Sequence, residues 1–329
     1  MVGERTRRLS AGYCMCIRTP FPTQYTKMDC SFQEQFLETY SNSDLVRYIL
    51  ECPTLSASIR RIFLLSPNLV AKQLIAAKAP DEIAAMKLSK KLHIRVPDIK
   101  RVVEDDRNVY VVMDRIHGTT LQEAWAQISW LGTFRLGFQL RRFVHVMRTI
   151  NSPTAGSLVS GKCDSIWLHD YYKLPLHATP EALTSFICFW LQYVSKRSLG
   201  QKGRRSRSDK QFVPSTPASL VFTHQDLAPR NLFVDNQRDL WLVDWGSSGW
   251  YPKYFEYVSM QSFDASNWGL AARLRWFLFN WVSVGVFRRE QRALELVRSK
   301  FIRCPIGRKE IVLPAGAHLN AIHLRKPDV

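Results

Sequence analysis

The sequence lacks the features of several protein classes. Its seven cysteines are odd in number and show no paired C-x-x-C spacing, so they predict neither a disulfide framework nor a zinc site. No secretory signal is recognisable at the N-terminus, and no apolar run reaches the ~20 residues that cross a bilayer. The most apolar stretch, residues 276–287, is therefore predicted to be a buried helix. A cytoplasmic protein is the default expectation, while the basic N-terminus keeps mitochondrial targeting open.

Acidic residues are also scarce. Lys and Arg number 46 against 28 Asp and Glu, which gives a net charge of +18. Nucleic acid, an anionic membrane and an acidic substrate are therefore all partners to consider. Part of the charge lies at residues 195–216, among Ser and Gly, without the interleaved aromatic side chains that stack on bases. We predict a solvated basic surface loop there, and the pattern argues against nucleic acid as a partner.

Hydrophobic residues make up 46% of the chain, enough for a large core. Short strand-like runs occur at residues 62–65, 69–72, 99–103 and 109–113, around one helix at residues 81–92. From Gly118 onward, apolar residues recur at helical spacing. These patterns predict an α+β fold, with a small antiparallel sheet followed by a larger helical lobe. The predicted segments are an N-terminal tail and helix at 1–43, the sheet lobe at 44–116, the helical lobe at 117–307 and a C-terminal tail at 308–329.

The most informative stretch runs from residue 221 to residue 246. Two short strands follow Asn231, and their hairpin would bring Asp244 back close to it, so that amide and carboxylate oxygens share a hard divalent cation. Asp226 would lie beside them. Phosphoryl transfer needs metal ions on the phosphates and a carboxylate that orients the acceptor hydroxyl and accepts its proton. The spacing of His224, Asp226 and Asn231 matches the kinase pattern H-x-D-x-x-x-x-N, and residues 244–246 stand where kinases have Asp-Phe-Gly.

Residues 60–265 as a whole resemble the aminoglycoside phosphotransferase-like kinase family, particularly fungal members whose block ends in Gly-Trp-Tyr-Pro, here residues 249–252. The resemblance implies a bilobal protein-kinase-like fold and an ATP- and Mg²⁺-dependent kinase. It implies that Asp226 is the catalytic base and that Asn231 and Asp244 bind the metal and nucleotide. His224 is then a supporting residue rather than a base.

The resemblance also assigns parts of the sheet lobe. Lys72 corresponds to the strand lysine that binds ATP phosphates, and Glu82 to its ion-pair partner on the helix. Met113 begins the hinge, where the Asp114 carbonyl and the Ile116 amide would meet the adenine edge.

Three departures from the family pattern leave alternatives open. No glycine occurs at residues 56–67, so no phosphate-covering loop can be identified. Gln225 stands where the family usually has glycine, and Gly246 where fungal members often have an acidic residue. A pseudokinase-like binding module without turnover is therefore the alternative to an enzyme. A protein kinase ranks lower, because no Ala-Pro-Glu segment is recognisable.

The acceptor is predicted to be a small molecule with a hydroxyl group. Residues 257–329 contain twelve Lys and Arg but only five Asp and Glu. Polycationic aminoglycosides would favour an acidic pocket. The charge pattern therefore argues against an aminoglycoside acceptor.

Overall fold

The structure is a computed structural model, and it describes residues 32–56, 59–193, 214–217 and 219–304. The helices are α1 Asn42–Glu51, α2 Ala79–Lys91, α3 Leu121–Ala124, α4 Trp130–Met147, α5 Pro180–Gln192, α6 Tyr254–Gln261, α7 Leu270–Val284 and α8 Arg288–Arg303. The strands are β1 Thr54–Ser56, β2 Ile59–Leu64, β3 Leu69–Ile75, β4 Ile99–Asp105, β5 Asn108–Asp114, β6 Gly118–Thr120, β7 Asn151–Ser152, β8 Leu220–Thr223, β9 Leu232–Asp235, β10 Leu240–Leu242 and β11 Gly249–Tyr251. The predicted C-terminal tail and most of the predicted basic loop lie outside the described residues.

A five-stranded antiparallel sheet forms the N-terminal part, in the order β1-β2-β3-β5-β4. Strand β3 pairs with β5 along its whole length, from Leu69 opposite Asp114 to Ile75 opposite Asn108. Two helices accompany the sheet: α1, which packs on β4, and the predicted helix α2, which carries Pro80 in its first turn, where a missing backbone N–H does no harm. The predicted α+β class, with its small antiparallel sheet and mainly helical remainder, is confirmed.

Two three-stranded sheets carry the stretch singled out in the sequence. One has the order β10-β9-β6, and the other β11-β8-β7. A Cβ on Gly118 would overlap the carbonyl of Val234, so β6 approaches β9 more closely than a side chain would permit. The turn predicted at Gly118 is therefore a tight strand pairing against the β9–β10 hairpin.

The helices of the C-terminal part bury the apolar stripes read from the sequence. The buried stripe of α4 consists of Leu136, Leu140, Phe143, Val144 and Met147. Thr179 caps α5, since its side chain accepts a hydrogen bond from the Ala182 amide at 3.2 Å.

The prediction of a buried helix at residues 276–287 is wrong for one face. Helix α7 ends at Val284, followed by Gly285 with φ of 87°. Trp276 is buried, but Trp281 is 53% exposed. The apolar residues among 276–284 lie on every side of the helix, whereas α7 packs on only one side. None of the helices among the described residues is long and apolar enough to cross a membrane.

The chain divides into two compact units. The first consists of Met1–Leu136, Leu227–Gly246 and Trp268–Arg275, and the second of Gly137–Asp226, Ser247–Asn267 and Trp276–Val329. The chain therefore passes from the second unit to the first between Asp226 and Leu227. The domain boundaries expected from the sequence stay a prediction.

Candidate active site

In the first unit, the Lys72 ammonium lies between two carboxylates. Its Nζ is 2.5 Å from Glu82 Oε1 and 2.7 Å from Asp244 Oδ1. Lys72 comes from β3, Glu82 from the first turn of α2, and Asp244 follows β10, so three elements far apart in sequence meet here. The predicted Lys72–Glu82 pair is present in this geometry, and Asp244 joins it.

The three side chains are largely withdrawn from water. Burial disfavours the charged form of Lys72, but the Coulombic attraction of Asp244 and Glu82 outweighs burial, and the pKa of Lys72 is raised. Burial also raises the pKa of Glu82, against the attraction of Lys72. We infer that the ammonium stays protonated, because it serves both carboxylates at hydrogen-bonding distance.

The hairpin predicted after Asn231 positions the metal-ligand candidates. Leu232 pairs with Leu242 at the end of β9 and β10, and the Val243 amide donates to the Asn231 carbonyl at 3.1 Å. This pairing continues the hairpin as far as the residue before Asp244. Asp244 has φ of 67°, in the left-handed region that aspartate tolerates better than most residues. Asn231 is fully buried.

Gly246 lets Glu82 come close to the turn after Asp244. A Cβ on Gly246 would lie 3.1 Å from Glu82 Oε2 and 3.9 Å from Asp244 Oδ1. An acidic side chain here would bring a third negative charge toward one lysine. Gly246 is the third departure from the family pattern. Glycine at this position leaves only the carboxylates of Glu82 and Asp244 at the turn.

A cavity of about 70 Å³ adjoins the Lys72 cluster within the first unit. Its lining residues are Leu55, Ile62, Val70, Lys72, Glu82, Met86, Pro97, Met113, Asp114, Arg115, Ile116, Phe233, Val243 and Asp244. The predicted hinge residues Met113, Asp114 and Ile116 are thus brought to the same cavity as Lys72. Asn231 is not among its lining residues.

In the second unit, helix α6 holds the segment that contains Asp226. The Glu256 carboxylate accepts hydrogen bonds from the backbone amides of His224 and Gln225. Ser259, one turn further along α6, donates to the Gln225 carbonyl. His224 Nδ1 in turn accepts from the Asp226 amide at 3.2 Å. His224 therefore shapes the backbone at Asp226, which is the supporting role expected for it.

Gln225 adopts the backbone conformation for which glycine is best suited. Its φ is 62°, where a side chain at Cβ is disfavoured. Hydrogen bonds to Glu256 and Ser259 hold its backbone, and its Nε2 donates to the Ser247 carbonyl at 3.1 Å. The second departure from the family pattern is thus a strained residue fixed by its neighbours.

Glu256 was missed in the sequence, where its neighbours Tyr254, Phe255 and Tyr257 indicated only packing. The available signal was a lone carboxylate inside an apolar run, since a fully buried charge requires partners. Burial raises the pKa of Glu256 to about 7, against the opposing effects of the His224 amide, Arg148 and the Gln225 amide. The negative charge of Asp226 acts in the same direction as burial.

A pH-dependent stability follows from the raised pKa of Glu256. The folded protein holds this proton more tightly than the unfolded chain does. Its stabilising effect is therefore complete below pH 4.5, the ordinary pKa, and is lost as the pH rises through about 7. We expect the free energy of unfolding of the wild type to fall by about 3 kcal/mol over this window relative to Glu256→Gln.

Urea unfolding at a series of pH values measures this difference. The substitution Glu104→Gln, at an exposed strand position, is the matched control and should keep the wild-type profile. If the wild type and Glu256→Gln lose stability in parallel as the pH rises, the raised pKa is not that of Glu256.

Comparisons with known proteins cover the larger part of the chain. A sequence model described as "Phosphotransferase enzyme family" matches residues 70–287. Comparison with curated protein sequences gives no match. The structure is similar to the streptomycin–ATP complex of the aminoglycoside phosphotransferase APH(2")-IIa, with TM-score 0.47 and 11% identity, covering 80% of this chain and 92% of that one. It is also similar to APH(3'')-Id from Streptomyces rimosus bound to ADP and streptomycin, with TM-score 0.41 and 13% identity, covering 71% and 86% of the two chains.

These structural similarities are low, so the assignment rests on the sequence match. That match spans well over half of the chain, from β3 to the residue before α8. It includes Lys72, Glu82, the hinge, Asp226, Asn231 and Asp244. The chain therefore belongs to the phosphotransferase enzyme family (APH), the aminoglycoside phosphotransferase-like family to which its motifs point.

Proposed function

We propose that this member of the phosphotransferase enzyme family is a Mg²⁺- and ATP-dependent kinase that phosphorylates a hydroxyl group of a small molecule. Family membership supports ATP-dependent phosphotransfer in general. The observation that carries the proposal for this chain is the Lys72 ammonium, held between Glu82 and Asp244 on the wall of a cavity that the hinge also lines.

Each candidate residue has a role that its surroundings support. Lys72 offers a fixed positive charge to the nucleotide phosphates, and Glu82 keeps that charge in place. Asp226 accepts the proton of the acceptor hydroxyl, since a carboxylate at the end of a rigid loop can orient that group. The hydrogen bonds of the Glu256 and Ser259 side chains to the backbone of this loop make it rigid.

The donor set of the hairpin fits a magnesium ion. No group of three or more His, Cys, Asp and Glu that could hold a metal occurs among the described residues. Asn231 and Asp244 offer one amide and one carboxylate oxygen. Mg²⁺ typically takes one or two protein carboxylates and completes its shell with water and substrate phosphates. When bound, such an ion would neutralise charge on the phosphates; Asn231 and Asp244 would hold it.

The acceptor is proposed to be a small molecule other than an aminoglycoside. Helix α8 carries six Lys and Arg against two Glu. It lies in the region that the sequence marks as basic, whereas a polycationic acceptor requires carboxylates. Two of the similar structures contain streptomycin, and that binding is a property of those proteins.

A binding module without turnover is the second candidate. The small volume of the cavity beside Lys72 is the observation in its favour. Small-molecule sites typically measure about 300–1,000 Å³, whereas the cavity beside Lys72 measures about 70 Å³. The cavity is therefore smaller than a typical small-molecule site.

Thermal unfolding with ATP separates the two candidates. We expect ATP with Mg²⁺, at a hundredfold excess over Kd, to raise the free energy of unfolding by about 2.7 kcal/mol and Tm by several degrees. Without Mg²⁺ the increase should be smaller. No shift at millimolar ATP would instead support the module without turnover.

Asp244→Ala is the matched variant for the metal, and it should lose the Mg²⁺-dependent part of the shift. A phosphate-transfer screen over small-molecule alcohols then identifies the acceptor. Kanamycin-like compounds are included in the screen, and their efficient phosphorylation would overturn the prediction about aminoglycosides.

A further inference from the structure

Helices α4 and α7 each expose one apolar and basic side to solvent. We call these two sides together the basic apolar face. On α4 it comprises Trp130, Leu131, Phe134, Arg135, Phe138, Arg141, Arg142 and His145. On α7 it comprises Leu270, Ala271, Arg273, Leu274, Phe277 and Trp281. At about 100° per residue, each set occupies less than half of the circumference of its helix.

The apolar side chains of this face are exposed far beyond what isolated surface residues show. Leu131 and Leu270 are each 81% exposed, Phe138 is 60% exposed and Trp281 is 53% exposed. Single exposed apolar residues are ordinary, but large ones that recur along one side of a helix mark an interaction site. We therefore expect a binding partner to cover this face.

The two sides adjoin where the helices pack within the second unit. Ser283 Oγ of α7 donates to the Gly137 carbonyl of α4 at 3.3 Å. A Cβ on Gly137 would lie 3.2 Å from Val282, so the helices are in close contact. Arg141, from the exposed side of α4, donates to the Val282 carbonyl at 3.2 Å, next to exposed Trp281. The exposed sides therefore meet at this contact.

The charge of the face has one sign. Neither helix contains an Asp or a Glu. Arg135 and Arg142 lie on the exposed side of α4, and Arg273 lies on that of α7. The Arg288 guanidinium is 5.6 Å from the centre of the Phe277 ring, just beyond the end of α7. The occupant must therefore be apolar and negatively charged.

A cavity of about 850 Å³ lies in the first unit. Leu131 and Arg135 of the exposed side of α4 line it, together with Arg115 and Arg238. Asp235 is the one carboxylate among the described residues of its lining.

That carboxylate is engaged within its own turn. Its Oδ1 accepts from the amides of Gln237 and Asp239 at 2.9 and 2.8 Å. Its Oδ2 accepts from Trp241 Nε1 at 2.8 Å. The arginines therefore dominate the charge of the cavity, which suits an anionic group such as a lipid phosphate.

We propose that the basic apolar face docks on an anionic membrane surface, with a lipid headgroup phosphate in the cavity beside Arg135. Exposed tryptophan, phenylalanine and leucine next to arginine, without acidic residues, are typical of helices that lie in the membrane interface. Each basic residue near such a surface adds electrostatic attraction.

Other occupants fit the charge less well. A second copy of the chain would bring the same basic face and a net charge of +18. The chain segments outside the described residues are themselves basic: residues 305–329 contain four Lys and Arg against two Asp and Glu. Repulsion between like charges disfavours both arrangements.

Vesicle co-sedimentation of the full chain tests the proposal. We expect binding to phosphatidylcholine vesicles containing about 30% phosphatidylserine, weakened by added salt, and little binding to pure phosphatidylcholine. Leu131→Ser/Phe138→Ser should weaken binding roughly tenfold or more, because both side chains would insert into the interface. Arg135→Gln/Arg142→Gln should weaken it roughly tenfold.

Matched double variants elsewhere on the surface serve as controls. Leu50→Ser/Ile75→Ser removes two apolar side chains that are 56% and 47% exposed. Lys87→Gln/Lys91→Gln removes two exposed charges from α2. Both controls should bind as the wild type does, and unchanged Tm values confirm that every variant is folded.

Three outcomes would overturn the proposal. These are no binding to anionic vesicles, equal binding to both vesicle types, and control variants that weaken binding as much as the face variants. Sedimentation velocity supplies a fourth: self-association of the wild type that Leu131→Ser/Phe138→Ser abolishes would make the face an interface between copies. Because ATP plays no part in the assay, failure here leaves the proposed kinase function untouched.

Discussion

Replacing Asp226 with alanine is expected to lower phosphotransfer by about 10²–10⁴-fold, the usual contribution of a positioned general base. The fold should persist, because the contacts that shape this loop use the backbone of Asp226 and the side chains of His224, Glu256 and Ser259. The charge of Asp226 raises the pKa of Glu256, so its removal also relieves a repulsion. The measurements are single-turnover phosphotransfer to the acceptor found by screening, and Tm.

Asp226→Asn provides the stricter comparison, because it keeps the shape and removes only the basicity. Asp264→Ala, in an exposed loop, is the control for loss of a carboxylate. Wild-type turnover by Asp226→Ala, with a true acceptor present, would refute the assignment of the base. Equal loss of stability and activity would point instead to a structural role.

Replacing Lys72 with methionine should destabilise the protein by about 3–5 kcal/mol, the usual effect of removing one partner of a buried ion pair. Methionine keeps most of the volume but leaves the carboxylates of Glu82 and Asp244 without the ammonium between them. Both like charges then lie in a poorly solvated site. Chemical denaturation measures the loss, and the nucleotide-induced rise in Tm should decrease as well.

The double variant Lys72→Met/Glu82→Gln should recover part of this stability, because it removes one of the two negative charges. The exposed pair of Lys90 and Asp98, 2.7 Å apart with side chains 58% and 40% exposed, is the control. Lys90→Met should change the free energy of unfolding by no more than about 1 kcal/mol. An equally small effect of Lys72→Met would show that the cluster contributes nothing to stability.

The sequence predicted the elements well because their patterns are local. Strand-like runs, Pro80 at the start of α2 and the Thr179 cap of α5 are read from neighbouring residues. The order of Lys72 and Glu82 also predicted the ion pair between them. The ends of the elements differed by a few residues, and the short strand β1 was missed.

The support of the catalytic segment was harder to predict. Glu256 lies 32 residues after His224, and no spacing rule links a helix carboxylate to those amides. The positive φ of Gln225 and Asp244 is likewise a property of the folded backbone. The comparison with the family pattern marked Gln225 as a replaced glycine, but it did not predict the contacts that hold its backbone.

The sequence by itself determined the family, the α+β class and the identity of the candidate residues, because periodicity and motif spacing are written along the chain. Tertiary structure alone decided that Asp244 shares Lys72 with Glu82, and that Glu256 clamps the segment before Asp226. It also decided that α7 buries Trp276 but leaves Phe277 and Trp281 exposed. Hydrophobicity says how much surface a helix should bury, but which side is covered depends on the elements that pack against it.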